Sequence, residues 1–215
     1  MLNRDEPVNK ELLKQLPAAV AVPPGDALAQ SRRRVQNWFA QTAPLIQWGT
    51  VESPLGPIYI AASAHGVCSV NFGVSLNVFL NKLDPLACAE WKPQALEPAA
   101  QQLREYFAGV RSGFDLPVDL RRLSSFQQNV LQVARNIPAG TVWTYGQVAR
   151  TLGKPQAGRA IGQALGHNPV PIIIPCHRVI ASDGSLGGYS GGGGLNSKRL
   201  LLRLEGALTG LNGQN

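Results

Sequence analysis

Three side chains with different chemistry stand in a row at Cys176, His177 and Arg178, at the end of the apolar run "IIIPCHRV". A cysteine attacks as its thiolate, and a neighbouring base or positive field raises the thiolate fraction. In an extended segment Cys176 and His177 would point to opposite sides. Cooperation between them therefore needs a turn or a bridging water. A hydrolase would also need an oxyanion hole and a third group to orient the imidazole. Glu205 is the candidate orienter. It is one of two acidic residues after position 124 and ends the amphipathic helix in "LNSKRLLLRLEG", where a carboxylate opposes the helix dipole. The plain alternative is an exposed helix-end carboxylate.

The remaining candidate ligands are sparse. His65 and Cys68 lie three apart near a hairpin turn without obvious partners for a metal site, so they read as a surface histidine and a buried cysteine. Cys88 reads as a packing residue. Three irregularly spaced cysteines make no disulfide framework and fit free thiols in a reducing cytoplasm. No apolar run approaches the roughly 18 residues of a membrane span, and the N-terminus shows no apolar segment of a secretory signal.

Several elements must hold the reactive segment. "SSFQQNVLQVARNIPAG" opens on serine caps, runs as a helix and breaks at Pro138 and Gly140. "TYGQVARTLGKP" is a short second helix ended by Gly153 and Pro155, and "QAGRAIGQALGHNP" a third, ended by Gly166, Asn168 and Pro169. Two short helices joined by a glycine-containing turn fit a helix-turn-helix, a geometry also found without DNA contact. The third helix is mostly Ala and Gly, although each glycine costs ~1 kcal/mol relative to alanine. Either it packs tightly on another helix, or it presses into a narrow groove of a duplex, with Arg159 free to enter the base stack.

Charge points the same way. Residues 125–215 carry eight basic and two acidic side chains, +6 of the chain's net +7. A basic excess confined to one region is either a solvated surface or the footprint of a polyanion, usually nucleic acid.

The 215 residues leave room for one large or two small domains. From Trp48, "WGTVESPLGPIYIAAS" and "GVCSVNFG" read as strands of an antiparallel meander turning at Leu55–Pro57 and His65–Gly66. "ALEPAAQQLREYFAG" reads as a helix with Leu103, Tyr106 and Phe107 facing a core. Residues 1–46 read as an extension, partly helical or disordered. In it "AAVAVPPGD" is a linker, and "ALAQSRRRVQNWFAQ" a short amphipathic helix with Val35, Trp38 and Phe39 on its apolar side. Arg32, Arg33 and Arg34 are solvated, or add a nonspecific phosphate contact.

"NPVPIIIPCHRVI", with "TYGQVA" upstream and "GYSGG…K…LL…EG" downstream, resembles the O6-alkylguanine-DNA alkyltransferases, or methylated-DNA–protein-cysteine methyltransferases. The resemblance spans roughly residues 47–207 and is strongest from Phe126 to Gly206. It implies an α/β (α+β) fold: a small N-terminal α/β domain with an antiparallel sheet, 47–120, and a C-terminal helix-turn-helix, winged-helix-like domain, 121–215. The implied activity is DNA repair by irreversible transfer of the alkyl group of O6-alkylguanine, and of O4-alkylthymine, to Cys176, one turnover per molecule. His177 would take the thiol proton through a water, with Glu205 orienting it. Asn168 would tie the recognition helices to the acceptor turn, and Tyr145 would donate to the guanine ring. Tyr189, Ser190, Val179, Pro171 and Gly187 would shape the base pocket, with the carbonyls of Cys176 and Val179 reading the exocyclic amine. Pro171 and Gly187 resemble roomy-pocket members that accept groups as large as benzyl. DNA contacts would come from Ala157, Arg159, Ala160 and Gly162, and from Lys154, Arg178 and Ser182.

The implied partner is the minor groove of double-stranded DNA carrying alkylated guanine, met by a cytoplasmic monomer with no membrane association. No metal or organic cofactor is implied. In this picture an apolar strand anchors the thiol at the floor of a dry pocket. The run Gly191–Gly194 is two residues longer than in many relatives, which implies a longer or looser loop beside the pocket. Competing readings are a lesion-binding protein without transferase activity, in which the acceptor cysteine is replaced; a transcription regulator, which would need base-reading side chains on its recognition helix; and a cysteine hydrolase, which would turn over repeatedly.

Overall fold

Alternating apolar residues start the sheet. In the computed structural model, which describes residues 26, 27, 29–34 and 43–208, β1 (Leu45–Val51), β2 (Ile58–Ser63) and β3 (Gly66–Phe72) pair antiparallel in sequence order. Ser53 and Gly56 close the first turn, Gly56 N–H donating to the Ser53 carbonyl at 2.9 Å. Period-two alternation gives the sheet two apolar faces. Val51, Ile58, Ile60, Val70 and Phe72 enter the main core, while Ile46 and Ala61 face the other way with Phe79 and Leu83.

A helix that the strand pattern does not announce covers that second face. Helix α1 (Leu76–Lys82), capped by Ser75, brings Phe79 to stack on Tyr59 with ring centroids 5.1 Å apart. A fourth strand, β4 (Cys88–Trp91), then pairs parallel with β1, so the sheet order is β3-β2-β1-β4 and the sheet is more than a meander. Cys88 is exposed on this edge strand and is not a packing residue. β1 begins two residues inside the stretch assigned to the extension.

A 3-10 turn at Pro93–Leu96 leads into α2 (Glu97–Phe107), which buries Leu103 and Tyr106 and half-buries Phe107. Capping boxes start the next two helices: Ser124 with Gln127 for α3 (Ser125–Arg135), and Thr144 with Gln147 for α4 (Tyr145–Thr151). After Gly153 the chain turns into α5 (Gly158–Gly166), which buries Ile161, Ala164 and Leu165. Two-residue strands β5 (Trp143–Thr144) and β6 (Val179–Ile180) pair in parallel, tying the start of α4 to the end of the reactive segment. Helix α6 (Gly194–Leu204) closes the unit.

From Pro44 onward the chain is one compact unit. A single cluster of buried residues runs from Val51 to Leu201 and draws on both expected domains, 47–120 and 121–215. Upstream, residues 26, 27 and 29–34 are helical, with Arg32, Arg33 and Arg34 exposed. The expected linker before Asp26, and Val35, Trp38 and Phe39, lie outside the described residues. Among the described residues no helix is long and apolar enough to cross a membrane.

Candidate active site

"IIIPCHRV" does not form the expected strand. Residues Pro171 to Ile174 make a tight buried turn, and Cys176–Arg178 one turn of 3-10 helix. Proline at 171 and 175 removes two ladder donors, which works against a strand. Ile172 takes a left-handed φ of 75°, a costly conformation for a β-branched residue that persists only where its surroundings fix it. Asn168 does much of that fixing. Its Nδ2 donates to the Ile174 carbonyl at 2.9 Å and its Oδ1 accepts from Val170 N–H at 3.0 Å. The Cys176 N–H then donates to the Ile174 carbonyl at 2.8 Å.

The turn puts His177 and Arg178 on one carboxylate. His177 Nε2 lies 2.9 Å from Glu205 Oε1, and Arg178 donates from Nε to Oε2 and from a terminal nitrogen to Oε1, both at 2.8 Å. The Tyr106 hydroxyl donates to Oε1 at 2.6 Å. The Glu205 side chain is 2% exposed and His177 fully buried. Burial disfavours the charged carboxylate, but hydrogen bonds from His177, Arg178 and Tyr106 outweigh it and bring its pKa down to about 2. An ionised Glu205 accepts only, so the His177 proton sits on Nε2. Nδ1, buried and without a hydrogen-bond partner among the described residues, is then the basic nitrogen. Burial lowers the His177 pKa more than Glu205 raises it, which keeps the imidazole neutral.

Cys176 is buried and its thiol pKa is raised by desolvation, opposed by Asn168 and by the charge of Lys198. The resting group is a thiol beside a neutral base, suited to losing its proton only as it attacks. Tyr145 and Tyr189 have raised pKa values, from burial first and then from the nearby Cys176, so both hydroxyls stay protonated. A Cβ on Gly187 would come within 3.1 Å of the Tyr145 hydroxyl, so Gly187 leaves room for that ring. Pro171 and Val179 are buried, Tyr189 is half-buried and Ser190 is exposed.

Two members of this centre carry roles that the sequence alone does not assign, although Lys198 is the lysine of the "GYSGG…K…LL…EG" motif. Tyr106 was legible as a core residue, not as a donor to Glu205. Lys198 is fully buried and donates to the carbonyls of Val179 at 2.6 Å, Leu186, and Gly188 at 3.4 Å. Burial lowers its pKa to about 8. Its spacing to Leu201 and Leu202 marks it as lying on the apolar face of α6. The carbonyls expected to read the base thus already hold one bond each, Cys176 from the Val179 N–H and Val179 from Lys198.

The expected DNA contacts divide. Arg159, Ala160, Lys154 and Ser182 are exposed, and Ala157 and Gly162 half-buried. Lys154 Nζ lies 5.5 Å from the Phe126 ring centroid. Tight packing does not explain the glycines at the two ends of α5: a Cβ on Gly158 or Gly166 would meet nothing within 4 Å. Arg178 is a correction. It is 4% exposed and spends its donors on Glu205 and on the carbonyls of Ile137 and Ser112, so it holds the interior together and does not reach DNA. His65 is exposed, and the described residues contain no group of three or more His, Cys, Asp or Glu suited to a metal ion.

Known proteins match this chain over most of its length. Residues 46–120 match the ribonuclease-like domain of 6-O-methylguanine DNA methyltransferase, and residues 125–207 match its DNA binding domain. A methylated-DNA–protein-cysteine methyltransferase of Mycobacterium bovis is 43% identical over 163 residues, 75% of this chain and 93% of that protein. One from Methanosarcina acetivorans is 38% identical over 156 residues, 73% and 96% of the two chains. The Mycobacterium tuberculosis OGT solved in complex with DNA superposes with a TM-score of 0.64 at 39% identity, covering 76% of this chain and 93% of its own.

Proposed function

The chain belongs to the methylated-DNA–protein-cysteine methyltransferase family, and from that premise we infer that it repairs DNA by moving the alkyl group of O6-alkylguanine onto its own Cys176. One observation carries the assignment of Cys176: a buried thiol follows directly on the Asn168-braced turn, beside an imidazole whose other nitrogen is held by an ionised Glu205.

The sulfur attacks the alkyl carbon, a carbon–sulfur bond forms, and the carbon–oxygen bond to the base breaks. The thiol proton passes to His177 Nδ1, directly or through one water. The charge left on the departing base is reduced by a hydrogen bond from Tyr145. Displacement at an alkyl carbon builds no tetrahedral oxyanion, so the site needs none of the donors an acyl transferase requires. The thioether product has no easy reverse, hence one turnover per molecule.

The base reaches Cys176 by leaving the stack, at a cost of a few kcal/mol that is lowest where pairing is already damaged. Helix α5 is suited to the minor groove: its exposed side offers Arg159, Ala160, Gln163 and Gly166, so Ala160 and Gly166 let the backbone come close, and its one guanidinium can fill the space vacated. Lys154 and Ser182 flank it as backbone contacts. We assign the protein to DNA in the cytoplasm, acting as a monomer. Pro171 and Gly187 fit acceptance of groups as large as benzyl.

The test is intact-protein mass after incubation with a duplex bearing one O6-methylguanine, alongside Cys176→Ala. A stoichiometric gain of one methyl group, absent in the variant, supports the assignment. Lesion binding without mass gain would replace it with a lesion-flagging role. Inactivation by free O6-benzylguanine tests the roomy pocket, and survival of Cys176 in large excess removes it.

A further inference from the structure

Tyr106 belongs to α2, 99 residues before the carboxylate it touches. Its ring packs against Phe107 and Phe114, each with centroids 5.3 Å away. Phenylalanine would serve that packing equally well. The hydroxyl is what differs, and it lies inside the protein on Glu205 Oε1, the oxygen that also holds His177 Nε2 and one Arg178 nitrogen. Burial, and then the charge of Glu205, push the phenol far above its usual range, so it remains a donor wherever the protein is folded.

We propose that Tyr106 is a positioning residue that sets the base strength of His177 through Glu205, so that the N-terminal α/β half of the chain tunes the acceptor in the C-terminal half. This rests on the reading of Cys176 as acceptor and His177 as base. Three donors share one carboxylate oxygen, and a hydrogen bond to a carboxylate withdraws charge from it. Removing the Tyr106 hydroxyl leaves more of that charge facing His177 Nε2. The imidazolium gains, and His177 holds a proton to higher pH. A protonated His177 cannot take the thiol proton, so the acid limb of the alkyl-transfer profile must move up.

The groups that act on His177 come from the elements around it: Lys198 from α6 and Glu205 from its C-cap, Arg178 from its own turn, and Tyr106 from α2 by way of Glu205. Tyr106 is the one among them that alters the carboxylate without carrying charge itself. Arg178 adds a second tie between the halves, donating to the Ser112 carbonyl at 3.2 Å.

The experiment follows the rate of methyl transfer from an O6-methylguanine duplex by intact mass between about pH 5 and about pH 9, for wild type and Tyr106→Phe. The variant should still reach full methylation, with its acid limb ~0.5 to 1 pH unit higher, read as a ~3- to 10-fold fall in rate on that limb. The limb should not move when Tyr106→Phe is added to Glu205→Gln. A merely structural tyrosine would lower stability and leave the limb in place, and that result overturns the proposal. If Tyr106→Phe does not fold, 3-fluorotyrosine at position 106, a stronger donor of nearly the same shape, should move the limb down; an unmoved limb rejects the proposal. Absence of methylation in the wild type would reject the assignment of Cys176 instead.

Discussion

A methyl group on Gly192 would stand 1.7 Å from the carbonyl oxygen of Phe72. The glycine-rich loop before α6 is thus seated backbone to backbone on the end of β3. A side chain on Gly191 would strike Tyr189 and the Phe72 ring, at 2.4 and 2.8 Å. Gly191 and Gly192 make this a pinned loop, not a loose one. Gly192→Ala should therefore push the loop off β3 and cost ~1–3 kcal/mol, as overpacking does. Gly194→Ala meets no atom within 4 Å and pays chiefly for its left-handed φ of 55°, about 1 kcal/mol. Thermal unfolding of the two variants checks this, and equal losses would contradict the docking contact.

The three cysteines should separate by reactivity. Cys88 is exposed on the β4 edge. Burial, and then the charge of Asp119, push the Cys68 thiol up to about 11, and burial raises that of Cys176. Access favours Cys88, while burial holds the thiols of Cys68 and Cys176 back from ionising. A short pulse of a charged alkylating reagent, followed by peptide mapping, should label Cys88 at least ~10-fold faster than the other two. Labelling of Cys176 at the rate of Cys88 would show that the thiol is open to solvent in the resting protein.

Arg159 and Arg178 should behave as different kinds of residue despite their shared charge. Arg159 is exposed on α5. Arg159→Ala should slow transfer from duplex DNA by ~10-fold or more, since the flipped state loses its filler. It should leave reaction with free O6-benzylguanine unchanged. Arg178→Ala leaves Glu205 with an unpaired buried charge, a loss of ~3–5 kcal/mol, and should impair both reactions. Rates with the two substrates, together with denaturant unfolding, separate the cases. Parallel losses for Arg159→Ala would place that residue in the acceptor site.

What the sequence could reveal follows from the range of the forces involved. The caps at Ser124 and Thr144 and the breaks at Gly140 and Gly153 are local signals, and the helices stand where those residues place them. Cys176, His177 and Glu205 were visible because chemistry restricts residue type at a reactive site. The turn at Ile172 was hidden, because three β-branched residues favour a strand, and what overrides that preference is the Asn168 side chain bonding the turn's backbone within buried surroundings, together with the prolines at 171 and 175. Arg178 misled for a similar reason: a guanidinium beside an acceptor suggests phosphate, and only folding shows Glu205, Ile137 and Ser112 using up its donors. Tyr106 lies 99 residues from its partner, beyond any periodicity. β4 is four exposed residues whose pairing depends on β1, so it left no alternation to read.

The Glu205 carboxylate also dictates how stability depends on pH. Its folded pKa of about 2 lies below the ordinary 4.5, with burial raising it and the hydrogen bonds from His177 and Arg178 lowering it further. A depressed carboxylate favours the folded state when ionised, so its contribution is complete above about pH 4.5. It drains away as pH falls through about 2, where the folded protein must also take the proton. The span corresponds to about 3 kcal/mol. Comparison of wild type with Glu205→Gln by urea unfolding isolates this group from the other carboxylates, Asp119 among them. The difference between the two proteins should be constant from about pH 5 to neutrality and shrink between about pH 4.5 and about pH 2. A difference that persists unchanged at the acid end would mean that packing around position 205, not the charge shared by Tyr106, His177 and Arg178, supplies the stability.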